Sequence, residues 1–265
     1  MRQLLNKVPE VTVYFWIIKV LCTTVGETAA DFLNTALNLG LTGISLVMGI
    51  LLIAALVYQM WTRKYVPWIY WLTVVLISIV GTLITDNLTD NFGISLVTTT
   101  TIFAIALALI FAIWYASEKT LSIHSIVTTK RESFYWLAIL FTFALGTASG
   151  DLIAEHFSIG YLPSALIFAG AIALITIAHY IVRGILALEH RYQSTNAVLA
   201  FWLAYILTRP LGASIGDYLS QTRDDGGLGL GTVITSVLFL LTILGTVIYL
   251  TITKKGEIHI ETRAS

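Results

Sequence analysis

Four aspartates stand in apolar stretches where a charge is costly. Each closes the same frame, W-x9-G-x4-D: Trp16, Gly26 and Asp31; Trp71, Gly81 and Asp86; Trp136, Gly146 and Asp151; Trp202, Gly212 and Asp217. A carboxylate inside a bilayer costs at least ~2.5–3.5 kcal/mol and marks a functional site by default. More acids stand close by. Glu27 follows the first motif glycine, and Asp90 and Glu155 come four residues after Asp86 and Asp151, one helical turn on. Hydroxyls such as Thr23, Ser78, Thr82, Thr147 and Ser214 crowd the same depth. An electronegative, oxygen-rich site suits a hard cation or a proton. The expected ion-binding set is therefore Glu27, Asp31, Asp86, Asp90, Asp151, Glu155 and Asp217. Glu27 and the four motif aspartates are the expected metal ligands. Arg209, followed by the helix-bending Pro210, is the expected internal counter-charge.

The elements that must position these groups follow from the repeat itself. The motif tryptophans fall at intervals of 55, 65 and 66 residues, each after an aromatic neighbour: Phe15, Tyr70, Tyr135 and Phe201. A recurring frame of this length identifies one supersecondary unit used four times. Hydrophobic residues make up 57% of the chain and charged residues 11%, with a mean hydropathy of +0.85; a soluble domain carries about 25% charge. Apolar runs long enough to cross a bilayer must satisfy their own backbone hydrogen bonds, and they do so as helices. The fold expected is an all-α integral membrane protein. Its eight transmembrane helices form four parallel two-helix repeats in pseudo-fourfold arrangement, over about 11–61, 67–115, 134–182 and 198–250. The first helix of each repeat carries the motif: Val11–Leu37, Pro67–Thr89, Phe134–His156 and Val198–Ser220. The second is plainer: Leu41–Trp61, Ile94–Tyr115, Leu162–Val182 and Leu230–Leu250.

Small residues four apart lie on one helix face and let backbones approach. Gly26/Ala30, Gly81/Thr85, Gly146/Gly150 and Gly212/Gly216 make such pairs. The motif glycines Gly26, Gly81, Gly146 and Gly212 are thus expected to pack motif helices together, leaving the plainer helices to lipid. Lys and Arg crowd the segments on the N-terminal side, whereas the opposite loops hold only Arg223. The positive-inside rule then puts both termini in the cytoplasm. The aromatic–Trp pairs are expected at the cytoplasmic interface, with each Gly about 15 Å deeper and each Asp about 22 Å deeper. Lys19 lies near enough to that interface to be expected to snorkel out to it.

Other chemistries find no residues. There is no C-x2-C or H-x3-H pairing, no H-E-x-x-H and no Ser/His nucleophile pair. Cys22 is the single cysteine. No cofactor, no nucleic-acid partner and no enzymatic activity is expected, and Met1–Pro9 does not read as a cleavable signal. Segment 117–133 reads as a polar linker between halves, and the tail from Thr253 as too short for a domain.

The opening KVPEVTVYFWIIKVLCTTVGETAADFLN, with ITDNLTD and LGTASGDLIAE further on, resembles a family of bacterial multi-spanning inner-membrane proteins described only as uncharacterised membrane or membrane-anchored proteins. The resemblance covers nearly the whole chain, implies a multi-pass inner-membrane location, and brings no binding residues with it. GETAAD departs from the E-x-G-D-[KR]-[ST] signature of the calcium/manganese exchangers.

The function expected is a secondary transporter of a small inorganic cation, a divalent metal such as manganese exported against protons. A pseudo-tetrameric cation channel is the alternative, and a membrane-embedded enzyme or structural partner the third reading. Cation substrate, protons and the lipid bilayer are the expected partners; monomer and homo-oligomer both stay open.

Overall fold

The computed structural model describes residues 6–36, 39–185 and 190–254. Among these residues eight long helices run in chain order: α1 (Val13–Ala36), α2 (Gly40–Trp61), α3 (Pro67–Asp86), α4 (Leu96–Glu118), α5 (Thr129–Asp151), α6 (Tyr161–Ile185), α7 (His190–Ser220) and α8 (Thr232–Thr253). All eight are long and apolar enough to span a membrane. Their ends follow local chemistry. Pro67 opens α3, where a missing N–H is harmless. The side chains of Ser95 and Thr128 accept from Thr98 N and Arg131 N at the starts of α4 and α5. Helix α7 begins eight residues before the expected Val198 and passes through Pro210 without a break.

The motif helices α1, α3, α5 and α7 form a closed ring, each packed on the next and α7 on α1. In their most apolar stretches 50–78% of residues are buried, against 11–28% for α2, α4, α6 and α8. The plainer helices thus form an outer layer, with Leu46, Ile50, Leu166, Leu238 and similar residues turned outward. Each outer helix rests on the motif helix of the following repeat: α2 on α3, α4 on α5, α6 on α7 and α8 back on α1. Because α2 barely touches α1, each two-helix repeat is a unit of sequence that interlocks with its neighbours in space.

Close approach in the ring depends on the motif glycines. A Cβ on Gly26 would strike Ser78, one on Gly81 would strike Phe143, one on Gly146 would strike Arg209, and one on Gly212 would strike Thr23. Every obstructing residue sits three places before the motif glycine of the next repeat. The same contact therefore recurs four times and closes on itself. Thr85 Oγ1 reinforces it by donating to Ala144 O at 3.1 Å, and Thr23 Oγ1 by donating to Thr208 O at 3.2 Å.

Two sequence expectations are corrected here. The aromatic–Trp pairs are not an interfacial belt. Phe15 packs at a tilt on Trp71 (5.6 Å between centroids), Tyr70 on Trp136 (5.4 Å), Tyr135 on Trp202 (6.2 Å) and Phe201 on Trp16 (5.6 Å). Trp71, Trp136 and Trp202 are buried, so the rings close one end of the bundle. The linker beneath them is part of the fold. Ile123 and Ile126 are buried, Trp202 Nε1 donates to Leu121 O at 2.9 Å, and Lys7 forms a buried ion pair with Glu132 at 2.6 Å. Of the tail, residues 255–265 lie outside the described residues.

Candidate functional site

The residue after the motif glycine is Glu27, Thr82, Thr147 or Ala213 in the four repeats. In the ring these positions face one another, and Arg209 of α7 reaches the first three. Its Nη2 donates to Glu27 Oε2 at 2.7 Å, to Thr147 Oγ1 at 2.7 Å and to Thr82 Oγ1, while Nη1 donates to Thr23 O at 2.9 Å. Arg209 is fully buried and the Glu27 side chain is 7% exposed. One guanidinium thus ties α1, α3, α5 and α7 together. It also explains Ala213: a larger side chain there is unnecessary, because α7 already supplies the cation. Burying such a pair removes two charges from water, and Coulomb attraction offsets that only with good geometry and further hydrogen bonds. Here Nη1 and Nη2 are bonded, while Nε has no partner among the described residues.

Beyond this pair, toward the end opposite the aromatic layer, stand the motif aspartates. Asp217 is buried; Asp31, Asp86 and Asp151 are half-buried. All four lie within electrostatic reach of Glu27. Neighbours round the ring repel one another: Asp31 with Asp86, Asp86 with Asp151, Asp151 with Asp217, and Asp217 with Asp31. Arg209 attracts Asp31, Asp86 and Asp151. Asp31 Oδ2 also accepts from Gln221 Nε2 at 3.3 Å. Glu155 acts on Asp31, Asp151 and Asp217, and Asp90 on Asp31 and Asp86, so all seven expected acids lie within electrostatic reach of one group, with Glu27 and the four motif aspartates at its centre.

The structure does not gather them into a compact metal centre. Among the described residues no three His, Cys, Asp or Glu side chains come together at a spacing that would hold a metal ion. Glu27, Asp31, Asp86, Asp151 and Asp217 are thus not a ready set of direct metal ligands. Each aspartate stays on its own helix, at the width of the glycine-packed ring.

Asp90 and Glu155 stand exposed at the rim of this group. The reason is a π-helical turn directly after the motif aspartate in the second and third repeats, over Asn87–Asn91 and Leu152–His156. Its i→i−5 bonds run from Phe92 N to Asn87 O (3.0 Å) and from Phe157 N to Leu152 O (3.1 Å). The wider turn breaks the straight i,i+4 register that would have stacked each acid on its aspartate. Asp90 instead accepts from Thr89 Oγ1 at 2.9 Å, and Glu155 from Tyr161 OH at 3.2 Å. Single π-turns inside α-helices are frequent at functional sites. Asn87 faces outward to α2, where Ser45 and Thr42 bond it at 2.7 and 3.1 Å.

Lys19 is the residue sequence reasoning misplaced. It does not snorkel. It is fully buried on α1, between the aromatic layer and the Arg209–Glu27 pair, with Nζ 3.9 Å from the Phe143 ring centroid and 4.2 Å from that of Tyr205. Among the described residues Nζ has no hydrogen-bond acceptor. Aligning the repeats gives the signal: the position of Lys19, seven before the glycine, is Val74, Ile139 and Tyr205 elsewhere. These are residues of a core, not of an interface.

No curated protein and no solved structure matches the chain. A family model described as Repeat of Unknown Function (DUF347) matches four times, at residues 14–65, 69–120, 134–184 and 200–255. Each match takes in one motif helix and its following outer helix, the unit that interlocks to build the ring, and together they span most of the sequence: the chain belongs to the DUF347 repeat family.

Proposed function

We propose that this chain is a secondary transporter that carries a small inorganic cation, manganese the first candidate, in exchange for protons. The observation that carries this reading is the ring of four motif aspartates with Glu27 around one axis, held on four packed helices and balanced in part by a buried arginine. Four acids at equivalent membrane depths cost too much to serve as decoration. Their spacing favours a cation that keeps part of its water shell, as hard divalent ions readily do. The aromatic layer, Lys19 and Arg209 fill the axis below the acids, which speaks for a carrier over a continuous pore. An enzyme would not need four equivalent carboxylates. We place the protein in a bacterial inner membrane with both termini cytoplasmic, on the distribution of Lys and Arg.

The test is flux into proteoliposomes of purified protein, screening Mn²⁺, Mg²⁺, Ca²⁺, Na⁺ and K⁺ with a pH dye inside. Saturable uptake of one cation with opposite proton movement is expected. Asp31→Asn, Asp86→Asn, Asp151→Asn and Asp217→Asn should each abolish it while the protein stays folded. Glu27→Gln should do so too, since a glutamine oxygen still accepts from Arg209. Normal transport by all five variants would overturn the carboxylate site, and conductance far above carrier rates would replace the carrier with a channel.

A further inference from the structure

We propose that Lys19 is the proton-carrying group of the exchange. The inference rests on the transporter reading above and adds the residue that makes exchange obligatory. An ammonium buried in a membrane protein without a carboxylate partner is expensive and unsuited to a structural role. Among the described residues the cation is stabilised by two aromatic faces, Phe143 and Tyr205, and by Cys22 within electrostatic reach, and by no carboxylate. The groups that act on it are few. Cys22 on α1 and Arg209 on α7 lie within electrostatic reach, and Tyr205 of α7 turns its ring toward it. From α5 it meets Phe143, which does not titrate. Among the described residues neither α3 nor α8 sets a charged group against it.

A positive substrate drawn in by the aspartate ring meets two fixed cations, Arg209 and Lys19. Arginine side chains keep their proton at any ordinary pH. Lysine can, and it shifts readily when buried. Entry of a cation therefore breaks one N–H bond of the Lys19 ammonium. The proton leaves to water on the side from which the cation came, and Nζ keeps the electron pair. Once the cation has left on the other side, Nζ takes a proton from water there. One proton crosses for each cation that crosses the other way.

The experiment compares wild type, Lys19→Met and Lys19→Arg in proteoliposomes, with Mn²⁺ as the probe and either a pH gradient or a potassium diffusion potential imposed. In the wild type the pH gradient should concentrate Mn²⁺ and the internal dye should record proton counterflow. Lys19→Met should still move Mn²⁺ down its own gradient and with the potential. It should lose both accumulation by the pH gradient and the dye signal. Lys19→Arg, which keeps its charge, should show no flux. If Lys19→Met retains proton-driven accumulation while wild type transports, the Lys19 assignment is wrong and the transporter reading stands. If wild type moves none of the cations screened above, both fall. Melting in detergent supplies a separate arm: Lys19→Met should melt no lower than wild type, and a clear drop would make Lys19 structural and overturn the assignment.

Discussion

Glu27→Met is expected to lower stability by about 3–5 kcal/mol, because it leaves the Arg209 guanidinium buried without its carboxylate. Arg209→Met should cost a similar amount by stranding Glu27. The double variant should recover most of the loss, since an apolar pair of similar volume is often neutral or stabilising in place of a buried ion pair. The remaining partners of Arg209 tolerate its removal. Thr82 Oγ1 and Thr147 Oγ1 already donate to Ser78 O and Phe143 O, each at 3.2 Å, so neither hydroxyl is orphaned. A double-mutant cycle, read by denaturant unfolding in mixed micelles, would give the coupling directly. Single variants within about 0.5 kcal/mol of wild type, the range of surface changes, would mean that the pair does not hold the four helices together. Flux sets the second scale. A double variant that regains stability but stays inactive places the charges in transport, whereas one that regains both would leave them only a packing role.

Much of this architecture was legible because the repeat wrote it four times. The eight spans, the packing of the motif helices and the outer position of the plain helices all followed from the frame, the small-residue pairs and mean hydropathy. The partner of Arg209 was legible in kind, as an acid of the bundle, because a buried cation needs one. What was not legible depends on contacts between repeats. The seating of α2 on α3, and of α8 on α1, leaves no trace in the order of apolar residues. The π-turns after Asp86 and Asp151 change a helical register by one residue, and hydrophobic periodicity cannot resolve that. Depth alone misled twice. Lys19 and the aromatic–Trp pairs lie near one end of their helices, where interfacial placement is the ordinary expectation. Their faces point into the ring instead, and face depends on the rotation of each helix about its axis.

That rotation is fixed by the glycine contacts, which yield the second large effect. Gly81→Ala is expected to destabilise the protein by about 1–3 kcal/mol, the cost of overpacking a filled core. Its new Cβ would lie 2.8 Å from Phe143 Cβ and 3.2 Å from Ala144 N. Neither can yield easily: one is the root of a buried side chain and the other is backbone, held nearby by the Thr85–Ala144 bond. Gly150→Ala is the matched control. Its nearest neighbours would be Pro210 Cα and Cβ at 3.6 Å, an ordinary contact. There the substitution should be neutral or should stabilise by up to about 1 kcal/mol, as alanine does over glycine within a helix. Both glycines lie on motif helices, four residues apart in their frames and similarly buried, so propensity and burial cancel in the comparison. Equal effects at the two sites, measured by thermal unfolding in the same detergent, would refute close approach as the role of the motif glycine. The opposite signs expected would locate it at Gly81 and, through the cyclic contact, at Gly26, Gly146 and Gly212. A helix pushed outward at any one of them also shifts the carboxylate it carries, because the next turn of that helix holds the motif aspartate. Loss of packing and loss of transport should therefore rise together along a Gly81→Ala, Gly81→Val series, whereas the aspartate variants should lose transport alone.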